Sequence, residues 1–127
     1  MTSKEWNTAV GSGLLRVVAG ICLLRWRRPL ARSLAGAAPD DRVMPLLFGY
    51  FGARDITVGA VTLAATRPTG DVPKAVRLQG LADATDAVLI GVVANRMPRV
   101  KAIGAIALAA VSALVEFATA LSLKHTP

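Results

Sequence analysis

Four apolar stretches, residues 6–24, 44–66, 76–95 and 102–123, take up about two thirds of this 127-residue chain. A bilayer core of about 30 Å needs about twenty helical residues at about 1.5 Å each, and every stretch comes close to or exceeds that length. The prolines agree with this division: Pro29, Pro39, Pro68, Pro73, Pro98 and Pro127 lie outside the stretches, and Pro45 falls in a first helical turn, where its missing N–H costs nothing. The expected architecture is all-α, a single four-span domain over residues 1–127 folded as an integral membrane antiparallel four-helix bundle. Composition points the same way. The chain is 54% hydrophobic with a mean hydropathy of +0.51, yet only 5% aromatic, so its apolar mass is Ala, Val, Leu, Ile and Gly. Small and aliphatic side chains pack helix on helix in lipid, whereas a membrane barrel would carry aromatic girdles.

The basic residues orient the chain. A connection of roughly twenty residues after the first stretch carries Arg25, Arg27, Arg28, Arg32 and Arg42, and the third connection, 96–101, adds Arg96, Arg99 and Lys101. The opposite side holds Lys4, Arg67, Lys74 and Lys124. By the positive-inside rule the first and third connections are cytoplasmic, so a multi-pass protein of the cell membrane with both termini outside is expected. Arg77, near an outer end, narrows the difference. The first stretch reads as a retained helix rather than a cleaved signal, because Arg16 interrupts it and the arginines lie on the wrong side of the Ala35-Gly36-Ala37 site.

The net charge of +7 does not imply a nucleic-acid partner. The surplus sits beside the spans, where Arg25, Trp26, Arg27 and Arg28 make a tryptophan anchor next to a patch for anionic lipid headgroups. No basic stretch is interleaved with aromatics as a base-stacking platform would be. Cys22 has no second cysteine to pair with, and His125 falls in the C-terminal tail, so neither a metal site nor a cofactor is expected. Gly11 and Gly13 lack the rest of a phosphate loop and suit close helix approach instead.

The ionisable residues inside the spans are the unusual feature. Arg16, Arg54, Asp55, Asp83 and Asp86 lie about eight to eleven residues from the ends of their helices and so share a depth, with Glu116 somewhat nearer the outside. Each charge costs about 2.5–3.5 kcal/mol at a helix centre, so they must find each other. Spacing predicts how they face. Gln79, Asp83 and Asp86 form a stripe at i, i+4 and i+7 on the third span. Ala105, Ala109, Ser112, Ala113, Glu116 and Ala120 form a small-residue face on the fourth, with Leu108, Val111, Leu114 and Val115 turned away. Ser12, Gly13, Arg16, Ala19 and Gly20 repeat this on the first span, and Gly49, Gly52, Ala53 and Gly59 accompany Arg54 and Asp55 on the second.

Two uses of this cluster stay open. As structure, the pairs fix helix register where apolar faces cannot tell a neighbour from lipid. As a site, four carboxylates exceed the guanidiniums available, and an acid without a full-time partner suits proton exchange or general acid chemistry. Asp86, Glu116 and Asp83 are then the candidate catalytic acids, and Arg16, Arg54, Asp55 and Gln79 the candidate ligand-binding groups.

The segment Gly52-Ala53-Arg54-Asp55, in a span that also carries Gly59, followed by Asp83 and Asp86 in the next, resembles the small four-helix membrane proteins of bacteria and fungi catalogued as domains of unknown function. The resemblance covers about residues 14–123; it implies a membrane fold and brings no reaction with it. Four-span multidrug exporters of similar length match poorly, since their essential glutamate lies in the first span, where Arg16 stands here. Three functions are therefore compatible with the sequence: a ligand-binding or accessory membrane subunit; a membrane-embedded acid–base isomerase or cyclase acting on an apolar small molecule; and a small proton-coupled carrier. The carrier would act as a homo-oligomer, because four short helices rarely enclose a pathway alone.

Overall fold

A computed structural model describes residues 2–124, without the side chain of Lys124; His125 and Pro127 lie outside the described residues. The described chain is all-helical, with five α-helices and no strand. They are α1 (Ser3–Arg25), α2 (Arg27–Ala35), α3 (Val43–Ala64), α4 (Val72–Val92) and α5 (Arg99–Lys124), with a 3-10 turn, Ala94–Arg96, between the last two.

Local chemistry sets the helix ends. Thr2 and Glu5 close a capping box at the start of α1: the Glu5 N–H donates to Thr2 Oγ1 and the Thr2 N–H to Glu5 Oε2. Asp71 caps α4 by accepting from the Lys74 N–H at 2.9 Å, with Pro73 in the first turn. This cap starts α4 four residues before the sequence-predicted span at 76, and the 3-10 turn ends it before 95. The long first connection contains a helix not foreseen from the sequence: its first half is α2, which buries Ala31 and Ala35 one turn apart and closes on Gly36 at φ 69. Its two-turn amphipathicity is too short to stand out beside neighbouring spans.

Three helices, α1, α3 and α5, are long and apolar enough to cross a membrane. Helix α4 is long enough but carries Arg77, Asp83 and Asp86 close together, so composition alone does not mark it as a span. In the three apolar helices only 22%, 28% and 17% of the most apolar window is buried by the protein itself. Leu15, Leu46, Leu108 and Leu114 are each about 70% exposed. Such continuous apolar surface on three helices is what lipid, not water, covers.

The interior is mostly apolar but carries buried polar and charged side chains. One apolar cluster, Ala9, Val72, Val76, Ala120 and Leu123, lies at one end. A second, Ala31, Ala35, Ala37 and Met44 with Leu47, Phe48, Val93 and Met97, lies at the other. Between them the buried residues include Arg16, Asp55, Thr62, Gln79 and Asp83. The second cluster joins the two basic connections, and there Lys101 Nζ also donates to the Ser33 carbonyl at 2.6 Å.

The closest helix contact is a glycine seam between α1 and α3. A Cβ on Gly20 would stand 2.5 Å from the Gly52 carbonyl oxygen, and one on Gly52 2.7 Å from that of Gly20. A Cβ on Gly59 would stand 2.6 Å from the Gly13 oxygen, and one on Gly13 3.0 Å from that of Gly59. The paired numbers run in opposite directions, so the helices are antiparallel, and the seven-residue spacing on each repeats the contact every two turns. A Cβ on Gly11, Gly91 or Gly104 would meet no neighbouring element within 4 Å.

Gly20→Val and Gly52→Val are therefore expected to destabilise the protein in detergent by at least about 1–3 kcal/mol, the usual cost of overpacking. Gly11→Val and Gly104→Val should leave the thermal unfolding midpoint close to the parent's. Equal midpoints for both sets would show that the seam is not a tight contact.

Candidate functional site

One guanidinium connects all four long helices. Arg16 on α1 reaches Asp55 Oδ1 on α3 through Nη1 at 2.9 Å, and through Nη2 it reaches Asp83 Oδ2 on α4 at 2.7 Å and Glu116 Oε1 on α5 at 2.6 Å. Arg16 itself is 9% exposed, and the three acids' side chains are between 10% and 16% exposed. The glycine seam explains the reach. Arg16 lies between Gly13 and Gly20, and Asp55 between Gly52 and Gly59, so the short aspartate needs no further extension.

Arg54 makes the second centre. Its Nη2 contacts Asp55 Oδ1 at 2.6 Å and lies 3.8 Å from Asp83 Oδ1. Its Nη1 donates to the Ala82 carbonyl at 2.8 Å and pairs with Asp86. The Phe51 ring lies beneath the guanidinium, 5.8 Å from centroid to Cζ. Asp55 Oδ1 is thus shared by both arginines, although Arg54 and Asp55 are adjacent in sequence and leave the helix at different angles. Ser112 on α5 donates to Asp83 Oδ2 at 2.5 Å.

A neutral polar layer adjoins the charges. Gln79, fully buried, donates through Nε2 to Thr62 Oγ1 at 2.8 Å and to Ser12 Oγ at 3.2 Å. Both hydroxyls donate back into their own helices, Thr62 to the Val58 carbonyl and Ser12 to that of Thr8. Gln79, Asp83 and Asp86 therefore line a polar column about 10 Å tall, given about 1.5 Å per residue.

All the candidate catalytic and ligand-binding residues from the sequence meet in this column. Asp86 and Glu116, expected to lack full-time partners, each hold a guanidinium, because the five-donor arginine fork lets one residue serve several acids. Gln79 sits in the neutral layer and binds two hydroxyls. Thr62 was not foreseen: a lone threonine in an apolar helix carries little signal without its partner. Glu116 Oε2, Gln79 Oε1 and Arg54 Nε are buried without a hydrogen-bond partner among the described residues. Arg25, Trp26, Arg27 and Arg28 lie apart from the column, exposed where α1 gives way to α2.

Comparison with known protein families, curated proteins and solved structures finds no match.

The network ranks its members. Arg16→Leu removes a guanidinium from acids on three helices, leaves Glu116 with none and Asp55 and Asp83 with Arg54 alone, and is expected to cost about 3–5 kcal/mol, the usual penalty for leaving buried charge unpaired. Asp86→Asn leaves Arg54 with Asp55 and the Ala82 carbonyl and should cost clearly less. Thermal unfolding in one detergent compares the two; an Arg16→Leu protein as stable as the parent would contradict the assignment of Arg16 as the central partner.

Proposed function

We propose that α1, α3, α4 and α5 all cross the bilayer as an antiparallel four-helix bundle, and that the protein is a ligand-binding or accessory membrane subunit whose charged column is its structural keystone. The supporting observation is the single Arg16 guanidinium touching an acid on each of the other three long helices. Helix α4 pairs its aspartates with Arg16 and Arg54, which offsets the cost that makes it a poor span by itself. With each carboxylate engaged by a guanidinium, holding helices together is the role the geometry favours over acid catalysis. The apolar outer faces are then available to lipid, to an apolar small molecule, to a second copy or to a larger membrane partner.

In this reading the chain is of the same kind as the small membrane proteins whose Gly-x-Arg-Asp segment it resembles. The end carrying α2 and the turn before α5 faces the cytoplasm, and both termini face outward across the cell membrane. The decisive point is whether α4 spans. In a Cys22→Ser background, Thr69→Cys and Asn95→Cys flank α4, and an impermeant maleimide applied to intact cells should label Thr69→Cys and not Asn95→Cys. Labelling of both from one side would rule out four spans.

A second reading, a proton-coupled carrier, draws on the charge balance. Four carboxylates share two guanidiniums, and Glu116 keeps one buried oxygen without a partner among the described residues. The subunit reading expects liposomes containing the protein to hold a pH gradient as well as empty ones. Faster dissipation that Glu116→Gln abolishes would replace it with the carrier.

A further inference from the structure

Where α1 gives way to α2, two cavities share lining residues, and their chemistry is unlike. One, of about 550 Å³, lies between α2, the following loop and the start of α3, and is lined by Arg27, Arg28, Arg32 and Arg42 with Asp40 and Asp41. Asp41 is engaged elsewhere: its Oδ1 accepts from the N–H groups of Val43 and Met44 at the start of α3. The other, of about 770 Å³, is a groove along α1 and α3 lined by Ile21, Leu24, Ile56 and Pro29 with Arg25, Arg27 and Arg28. Arg27 and Arg28 line both cavities.

The groove runs inward from the arginines. Ile21 lies about one turn from Arg25 along α1. Ile56 packs where a Cβ on Gly20 would touch it, 2.8 Å from its Cγ1, and so lies deeper still. Arg27 is set at the mouth. Its stem lies over Gly49, where a Cβ would stand 3.4 Å from Arg27 Cδ, and its Nη1 reaches the Leu24 carbonyl at 3.5 Å. None of these arginines takes part in the charged column. A basic recess that shares Arg27 and Arg28 with an apolar groove along two hydrophobic helices matches one kind of molecule in both charge and direction.

We propose that this corner binds one anionic diacyl phospholipid, its phosphate held by Arg27 and Arg28 and an acyl chain laid along Ile21, Leu24 and Ile56. The proposal rests on α1 and α3 crossing the membrane and does not depend on whether α4 does. It differs from general attraction of a basic surface to an acidic leaflet: one lipid, at one place, with its chain in a groove. Arg32 and Arg42 line the headgroup recess and favour a headgroup with negative charge beyond a zwitterion's.

The delipidated protein in neutral detergent provides the test. Phosphatidylglycerol should raise the thermal midpoint by about 5 °C, as a ligand well above its Kd does for a domain this small. Phosphatidylcholine and inorganic phosphate at equal concentration should each shift it by under about 1 °C, and native mass spectrometry should show one retained phosphatidylglycerol per chain. Arg27→Gln with Arg28→Gln should remove the shift and the bound lipid, while Arg96→Gln, a basic residue of the other connection, keeps both. An equal shift from phosphatidylcholine would overturn the headgroup assignment, and an equal shift from inorganic phosphate would overturn the acyl groove. If the double variant does not fold, the parent's preference among the three additives still decides. A lost preference alongside one-sided labelling at Thr69 would remove the lipid site and leave the membrane topology standing.

Discussion

The architecture depends on one buried guanidinium meeting acids from three other helices. In lipid, apolar faces gain nothing by finding each other rather than acyl chains, so shape and polar pairing must choose the neighbours. Arg16 does this with a planar fork whose two terminal nitrogens aim at three elements at once. A lysine at the same place would offer one compact charge on a flexible stem and could not fix three directions. Arg54 then closes the arrangement from α3, sharing Asp55 with Arg16 and reaching Asp86 and the Ala82 carbonyl of α4.

The glycine seam and the charged column are one device. Because Gly13 faces Gly59 and Gly20 faces Gly52, the α1 and α3 backbones come close enough for side chain and carboxylate to meet between the two contacts. Widening the seam would withdraw Asp55 from Arg16, and the cost would then include a broken buried ion pair as well as the steric clash. Helices α4 and α5 are coupled differently: Gly80 lies against Phe117, where a Cβ would stand 3.2 Å from the ring, and Ser112 donates to Asp83. Here a single glycine faces an aromatic ring and, at 3.3 Å from a Cβ placed on it, the Ala113 carbonyl oxygen, so this pair of helices lacks the two facing glycine pairs of α1 and α3.

Much of this was legible because membrane burial imposes simple rules. The stripe of Gln79, Asp83 and Asp86 follows from a 3.6-residue period, and all three lie in the column as that period requires. The same holds for the small face containing Ala113, Glu116 and Ala120, which lies inward, while Leu108 and Leu114 face out. What sequence could not supply was connectivity. Which acid meets which arginine depends on helix rotation and on the 13–59 and 20–52 register, and no local pattern encodes a register between segments forty residues apart. Helix α2 escaped for another reason: Ala31 and Ala35 are its only buried positions, so its stabilisation comes from Met44 and Phe48 on α3 rather than from its own sequence.

The two ends of the molecule are closed in different ways. One is closed by the cluster of Ala9, Val76 and Leu123, with a capping box and an aspartate cap holding short backbone ends. At the other, α2 folds back beside α3, and Lys101 and Pro98 of the later connection pack on its C-terminal end at Ser33 and Gly36. This contact ties the two basic connections together, so the positive charge lies at a fixed height relative to the charged column. A loose arginine-rich loop could meet an acidic leaflet at any height. In the proposed orientation, arginines carried on a docked helix meet it at one, and that height sets how deep Arg16 and its acids lie below the headgroups.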